Sequence, residues 1–123
     1  EVIAQQALAA AEAVVNLAGE PIAEKRWTPA HLQLLSSSRI ATTAALVAAV
    51  EALPEMQRPR VLINGSAIGY YGTSSSQEFS ETSPAGSDVL GRLCEAWECE
   101  ARAAESLCRV VILRIGIVLG ADG

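Results

Sequence analysis

Apolar and polar positions alternate along this chain in blocks that change rhythm. Residues 2–11 are Ala-rich with few breakers, which favours a helix. Ala13 to Leu17 (AVVNL) is a short apolar run that meets Ala18-Gly19, the pattern of a buried strand entering a turn. Thr28-Pro29 has the form of an N-cap followed by proline at the first helical position. From there to Leu53 the chain favours helix, with a break point offered at Ser36-Ser37-Ser38, and Pro54 stops it. Pro59 precedes Arg60 to Asn64 (RVLIN), a second buried strand that runs into Gly65-Ser66. Residues 69–87 are rich in Gly, Ser and Thr and predict a long loop.

A third helix follows, because Leu90, Leu93, Cys94, Trp97, Ala101, Ala104 and Cys108 recur at three- and four-residue steps. The stripe predicts burial for Cys94 and Cys108 and exposure for Cys99, and Glu98 and Arg102 stand four apart as a surface pair. Arg109 to Ile115 (RVVILRI) is a third strand, with Gly116 at its exit. Strands this continuously apolar belong to a parallel sheet. The fold class is therefore α/β, a three-layer Rossmann-like parallel sheet with right-handed crossovers and helices on both faces. Ligands of such sheets bind outside the carboxyl ends of the strands. Those ends are Asn16–Glu20, Gly65–Gly72 and Gly116–Gly123.

Composition narrows the partners. The 123 residues are 50% apolar and 19% charged, enough for one cored domain and unlike a disordered chain. No apolar run reaches the roughly 18 residues of a membrane span, and the Ala-rich start lacks a basic n-region. Nine Lys and Arg against fourteen Asp and Glu leave a net charge of −5, which argues against nucleic acid. The three cysteines lack CxxC spacing and meet a single histidine, His31, so no metal set forms. Free thiols point to a reducing compartment, the cytoplasm.

The strand ends hold the candidate chemistry. At the first, small residues would let a ligand approach the backbone beside Asn16. The second sets the Ser66 hydroxyl and the phenols of Tyr70 and Tyr71 beside flexible backbone; GxSxG is excluded, since Asn64 and Ile68 occupy the glycine positions. At the third, Arg114 either binds a phosphate or carboxylate or pairs with a neighbouring Glu. Neither Gly65-Gly69-Gly72 nor Gly116-Gly120-Gly123 has the spacing of a dinucleotide fingerprint.

Several segments in order carry a family resemblance: Asn16-Leu17-Ala18-Gly19, Arg26-Trp27, Ser38-Arg39, Ser66 through Gly72 (SAIGYYG), Glu81, Leu93 through Glu98 (LCEAWE) and Leu113 through Gly120 (LRIGIVLG). The series resembles the atypical branch of the extended short-chain dehydrogenase/reductases, NAD-dependent epimerase/dehydratase-like proteins labelled epimerase family proteins and sometimes SulA-like cell-division inhibitors. The resemblance implies a Rossmann-type domain with NADP(H) as dinucleotide. It implies that Asn16, Ala18 and Gly19 lie along the cofactor, that Ser66 positions substrate beside the nicotinamide, and that Arg114 and Gly116 lie near the nicotinamide end. Arg39 matches a family arginine on the cofactor side.

Two departures qualify this. Ordinary members use Tyr-x-x-x-Lys, in which lysine lowers the tyrosine pKa for proton exchange during hydride transfer. Here Lys25 is the only lysine, Ser74 and Ser75 follow the tyrosines by four, and the helix that should carry the pair reads Val89-Leu90-Gly91-Arg92-Leu93-Cys94. Tyr70 or Tyr71 is the candidate substitute. Second, the fifteen residues before Asn16 contain no glycine, whereas the family places its glycine-rich turn upstream. The chain is thus expected to be 1–123 of a partial domain that binds NADP(H) weakly alone and self-associates through an exposed sheet edge. The function implied is part of an epimerase- or reductase-like protein acting on a nucleotide-sugar or another small hydroxyl or carbonyl compound. The alternative is a non-enzymatic, dinucleotide-binding regulatory module linked to cell division.

Overall fold

A computed structural model describes residues 5–120. A short helix α1 (Gln5–Ala9) leads into β1 (Ala13–Asn16), α2 (Pro29–Glu51), β2 (Val61–Ala67), α3 (Val89–Arg102) and β3 (Arg109–Ile115). The predicted helix at 2–11 is thus shorter, and its residues 2–4 lie outside the described residues, as does Gly123 of the third strand end. The strands form one parallel sheet in the order β1-β2-β3. Its register sets Asn16 beside Asn64 and Ser66 beside Arg114.

Helix α2 starts as the sequence predicts: the Thr28 side chain accepts from the His31 backbone N–H at 3.2 Å, and Pro29 opens the helix. It does not break at Ser36-Ser37-Ser38. Ser37 and Ser38 instead donate to the carbonyls of Leu34 and Leu35, at 3.3 and 3.1 Å, which satisfies hydroxyls that would otherwise compete with the helix. Helix α3 is capped by Asp88, whose carboxylate accepts from the Gly91 N–H at 2.8 Å. It ends at Arg102 in a tight turn, so Ala104 and Cys108 of the apolar stripe fall beyond it; Cys94 is buried, Cys99 exposed and Cys108 half-buried.

The parallel Rossmann-like sheet is the one expected, but among the described residues its helices share one face. Successive right-handed crossovers that step the same way along a sheet put their helices on the same side. Leu8 of α1, Leu46 and Val47 of α2, Leu62 of β2 and Ala104 close the core there, with Val14 and Val110 against it. The opposite face presents Val15, Leu113 and Ile115, which remain 57%, 43% and 41% exposed.

Between β2 and α3 the predicted loop begins with a helical turn, Ile68–Tyr71, and then folds back on itself. Gly72 turns the chain at φ 76°, and a Cβ on Gly86 would lie 2.7 Å from the Gly72 backbone. Only glycine fits either position. The Gly86 N–H donates to the Tyr70 carbonyl at 2.7 Å and ties the loop to the end of β2.

Candidate functional site

Two buried polar clusters form at the carboxyl ends of the strands, and a cavity opens beside them. The first cluster is neutral. Asn16 Nδ2 donates to Thr43 Oγ1 at 2.9 Å and to Asn64 Oδ1 at 2.7 Å, while its Oδ1 accepts from the Ala18 N–H at 3.2 Å. Trp97 Nε1 donates to the same Thr43 oxygen at 2.9 Å. The side chain of Asn16 is therefore occupied inside the protein. What it offers the strand end is a fixed path for Ala18 and Gly19.

The second cluster is ionic. Ser66 Oγ donates to Glu98 Oε1 at 2.6 Å, and Arg114 grips the same carboxylate with two parallel bonds, Nε to Oε1 and Nη2 to Oε2, each 2.9 Å. Arg114 Nη1 also donates to Tyr71 Oη and to the Glu81 carbonyl, both at 3.0 Å, and the guanidinium lies 3.5 Å over the Tyr70 ring. Phe79 stacks on Tyr71 from the far side at 5.2 Å. Burial alone pushes the Glu98 carboxyl up, but the hydrogen bonds from Arg114 and Ser66 and the guanidinium charge outweigh it and hold Glu98 below the ordinary carboxylate value. The bonded carboxylate in turn drives Arg114 further up, so both remain charged.

This arrangement corrects the surface pair read between Glu98 and Arg102. Glu98 is buried and Arg102 pairs with Glu105 at 3.0 Å, because the β2–β3 register brings Arg114 across from the helix. Of the two roles open for Arg114, the pairing with a neighbouring glutamate is present.

The cavity has a volume of about 620 Å³. Arg39, Ser66, Leu90, Cys94, Trp97 and Gly116 are among its lining residues. A side chain built on Gly116 would meet nothing within 4 Å, whereas one on Gly19 would come within 2.8 Å of the Arg39 guanidinium. The structure thus brings Gly19, Arg39, Ser66 and Gly116 to one place. Tyr70 and Tyr71 turn towards Arg114 and do not line the cavity. Leu90 and Cys94, four apart on α3, face the cavity where the tyrosine–lysine pair was sought; burial pushes the Cys94 thiol up and keeps it neutral. Among the described residues no group of His, Cys, Asp and Glu forms a metal site, and no helix is long and apolar enough to cross a membrane.

Sequence reasoning missed Thr43, Asn64, Trp97 and the buried role of Glu98. A signal existed: Asn64 and Ser66 alternate with Leu62 on the covered face of β2, and Glu98 falls one turn after Cys94 on the apolar stripe. A polar residue at a core position implies a partner.

A parallel sheet of this order with a cavity at its carboxyl ends is the core of a Rossmann-type fold. No protein-family model matches the chain. It is 46% identical over 111 residues to the epimerase family protein SDR39U1 homolog, chloroplastic, of Arabidopsis thaliana, covering 90% of this chain and 32% of that relative. The crystal structure of human epimerase family protein SDR39U1 with NADPH superposes with a TM-score of 0.84 at 34% identity, over 98% of this chain and 43% of that one. A nucleoside-diphosphate sugar epimerase from Corynebacterium glutamicum gives 0.80 at 29% identity, over 99% and 25% respectively. The chain is a homologue of the epimerase family proteins, with the fold of the extended short-chain dehydrogenase/reductases. It spans about a third to two-fifths of the length of the SDR39U1 relatives it matches.

Proposed function

We propose that residues 1–123 form part of an NAD(P)-binding Rossmann-type domain in an epimerase- or reductase-like protein that acts on a small hydroxyl or carbonyl compound. The observation that carries this is the cavity at the strand ends, where Ser66 and Gly116 meet in a chain homologous to a protein solved with NADPH. The residues fit the nicotinamide end of such a cofactor: Gly116 leaves open space beside Ser66. The pyrophosphate end finds no glycine-rich strand-to-helix turn among the described residues. When bound, NADP(H) supplies hydride transfer.

The chain's own residues orient substrate. The Ser66 proton is committed to Glu98, so its free lone pairs accept from a substrate hydroxyl. Glu98 is held ionised and carries no proton at neutral pH. Titrating NADPH into the whole protein is expected to change the nucleotide's fluorescence saturably; a flat titration would sink the proposal.

One observation favours the second reading, a dinucleotide-binding module without turnover: Leu90 and Cys94 occupy the cavity wall and neither exchanges a proton at neutral pH. A screen of carbonyl substrates separates the two. Reproducible NADPH oxidation that is lost in Ser66→Ala supports an enzyme, and its absence across the screen supports the module. The bare sheet face and open edges also support self-association of the isolated chain, which sedimentation at rising concentration would reveal.

A further inference from the structure

The cavity carries one charged side chain with no ionic partner. Arg39 stands in the middle of α2, with its guanidinium against Gly19 and 5.3 Å from the Trp97 ring centroid. Among the described residues it makes a single hydrogen bond, Nη1 to the Leu35 carbonyl at 3.2 Å, and no salt bridge. Its other N–H groups have no hydrogen-bond partner among those residues. The acids nearby are engaged elsewhere: Glu98 is held by Arg114 and Ser66, and Glu20 bonds Lys25 at 3.3 Å. Among the described residues no carboxylate lines the cavity. A guanidinium with no direct ion pair, attracted only at longer range by Glu20, thus stands in a site otherwise walled largely by Ile22, Leu90, Leu93, Trp97 and Ile117, within a protein of net charge −5.

We infer that Arg39 is an anion-recognition residue and that the cavity takes a small organic acid: a carboxylate at Arg39, an apolar body along the aliphatic wall, and a hydroxyl that donates to Ser66. This rests on the reading of the cavity as the substrate side of a dinucleotide site, and it narrows the substrate class. A guanidinium with free donors matches a carboxylate in geometry and charge, and the pair gains strength where water is excluded. A sugar ring fits this wall poorly. Its several hydroxyls would find the Arg39 donors, the Ser66 oxygen and the Cys94 thiol among the lining side chains, fewer partners than a sugar ring needs, and each unpaired hydroxyl carries a desolvation cost. Arg39 therefore selects acids, in place of the cofactor contact implied by the sequence resemblance.

Ligand-observed NMR on the whole protein tests this with hexanoate and its neutral isostere hexanamide, first without dinucleotide. Hexanoate is expected to bind about tenfold or more tightly than hexanamide, as a charge-assisted bond implies. Arg39→Met, which keeps the stem over Trp97, should erase that preference, and Arg39→Lys should restore part of it; thermal melts of both variants verify folding. Equal binding of acid and amide by the wild type, or a preference that survives in a folded Arg39→Met, would overturn the proposal. A third arm separates substrate anion from dinucleotide phosphate. Hexanoate is expected to stay bound at saturating NADPH, and its competitive displacement would assign Arg39 to the dinucleotide instead. Failure of NADPH to bind the wild type would overturn the proposed function alone, because the acid–amide comparison is made without it.

Discussion

The two polar clusters at the strand ends solve the same problem by different means. At the β1–β2 junction, Asn16, Thr43, Asn64 and Trp97 tie two strands to two helices with neutral hydrogen bonds. At the β2–β3 junction, Ser66, Glu98, Arg114 and Tyr71 join two strands to α3 and a helical turn around an ion pair whose carboxylate is buried and whose guanidinium is partly buried. A neutral network loses only what its unpaired members cost when one is removed. An ionic one leaves a full charge stranded, so its members are more interdependent.

The difference can be broken at its strongest point by Glu98→Ala, which removes the carboxylate from a partly buried Arg114. A loss of about 3–5 kcal/mol is expected in urea denaturation. Replacing both partners with leucine should recover much of it, and a double variant no more stable than Glu98→Ala would show that the pair is not coupled. In the neutral cluster, Thr43→Val deprives Asn16 and Trp97 of their shared acceptor, and a loss of about 2 kcal/mol is expected by the same measurement. A Thr43→Val loss equal to that of Glu98→Ala would erase the distinction. Outside both clusters, Asp88→Ala removes the α3 cap and should cost about 1 kcal/mol, with Asp88→Asn retaining most of it.

The pH dependence sharpens the comparison further. Glu98 titrates lower in the folded chain than its ordinary value of 4.5 in an unfolded one. Its contribution is therefore complete above that ordinary value and is lost as pH falls through the depressed folded value. Urea midpoints from pH 7 downward should show the wild type losing stability in that acidic window, and Glu98→Gln losing less of it. Thr43→Val keeps the carboxylate and should track the wild type in slope.

How far the site was legible follows from the range of the interactions. The strand exit ahead of Ala18-Gly19, the cap at Thr28-Pro29 and the exposure of Cys99 depend on neighbours within a turn or two, and each is where the sequence predicts it. The series from Asn16 to Gly120 pointed to the correct family fold and to the strand ends. The Glu98–Arg102 pairing failed because helical spacing sees only the next turn, while Arg114 arrives sixteen residues later from a neighbouring strand. The tyrosines were placed near the right strand end, but the fold-back at Gly72 and Gly86 turned them to Arg114 and away from the cavity.

Periodicity, breakers and small residues at strand exits are local properties, and they set the order of elements and the parallel sheet before any contact is known. Which polar groups would be satisfied was decided only when the register set Ser66 beside Arg114 and the crossovers laid α2 and α3 over the same face. Burial makes an unpaired charge costly, so the partner a side chain finds across the fold, and not its place in the chain, determines its state. On that ground Arg114 became a structural clamp and Arg39 was left facing the cavity with donors to spare.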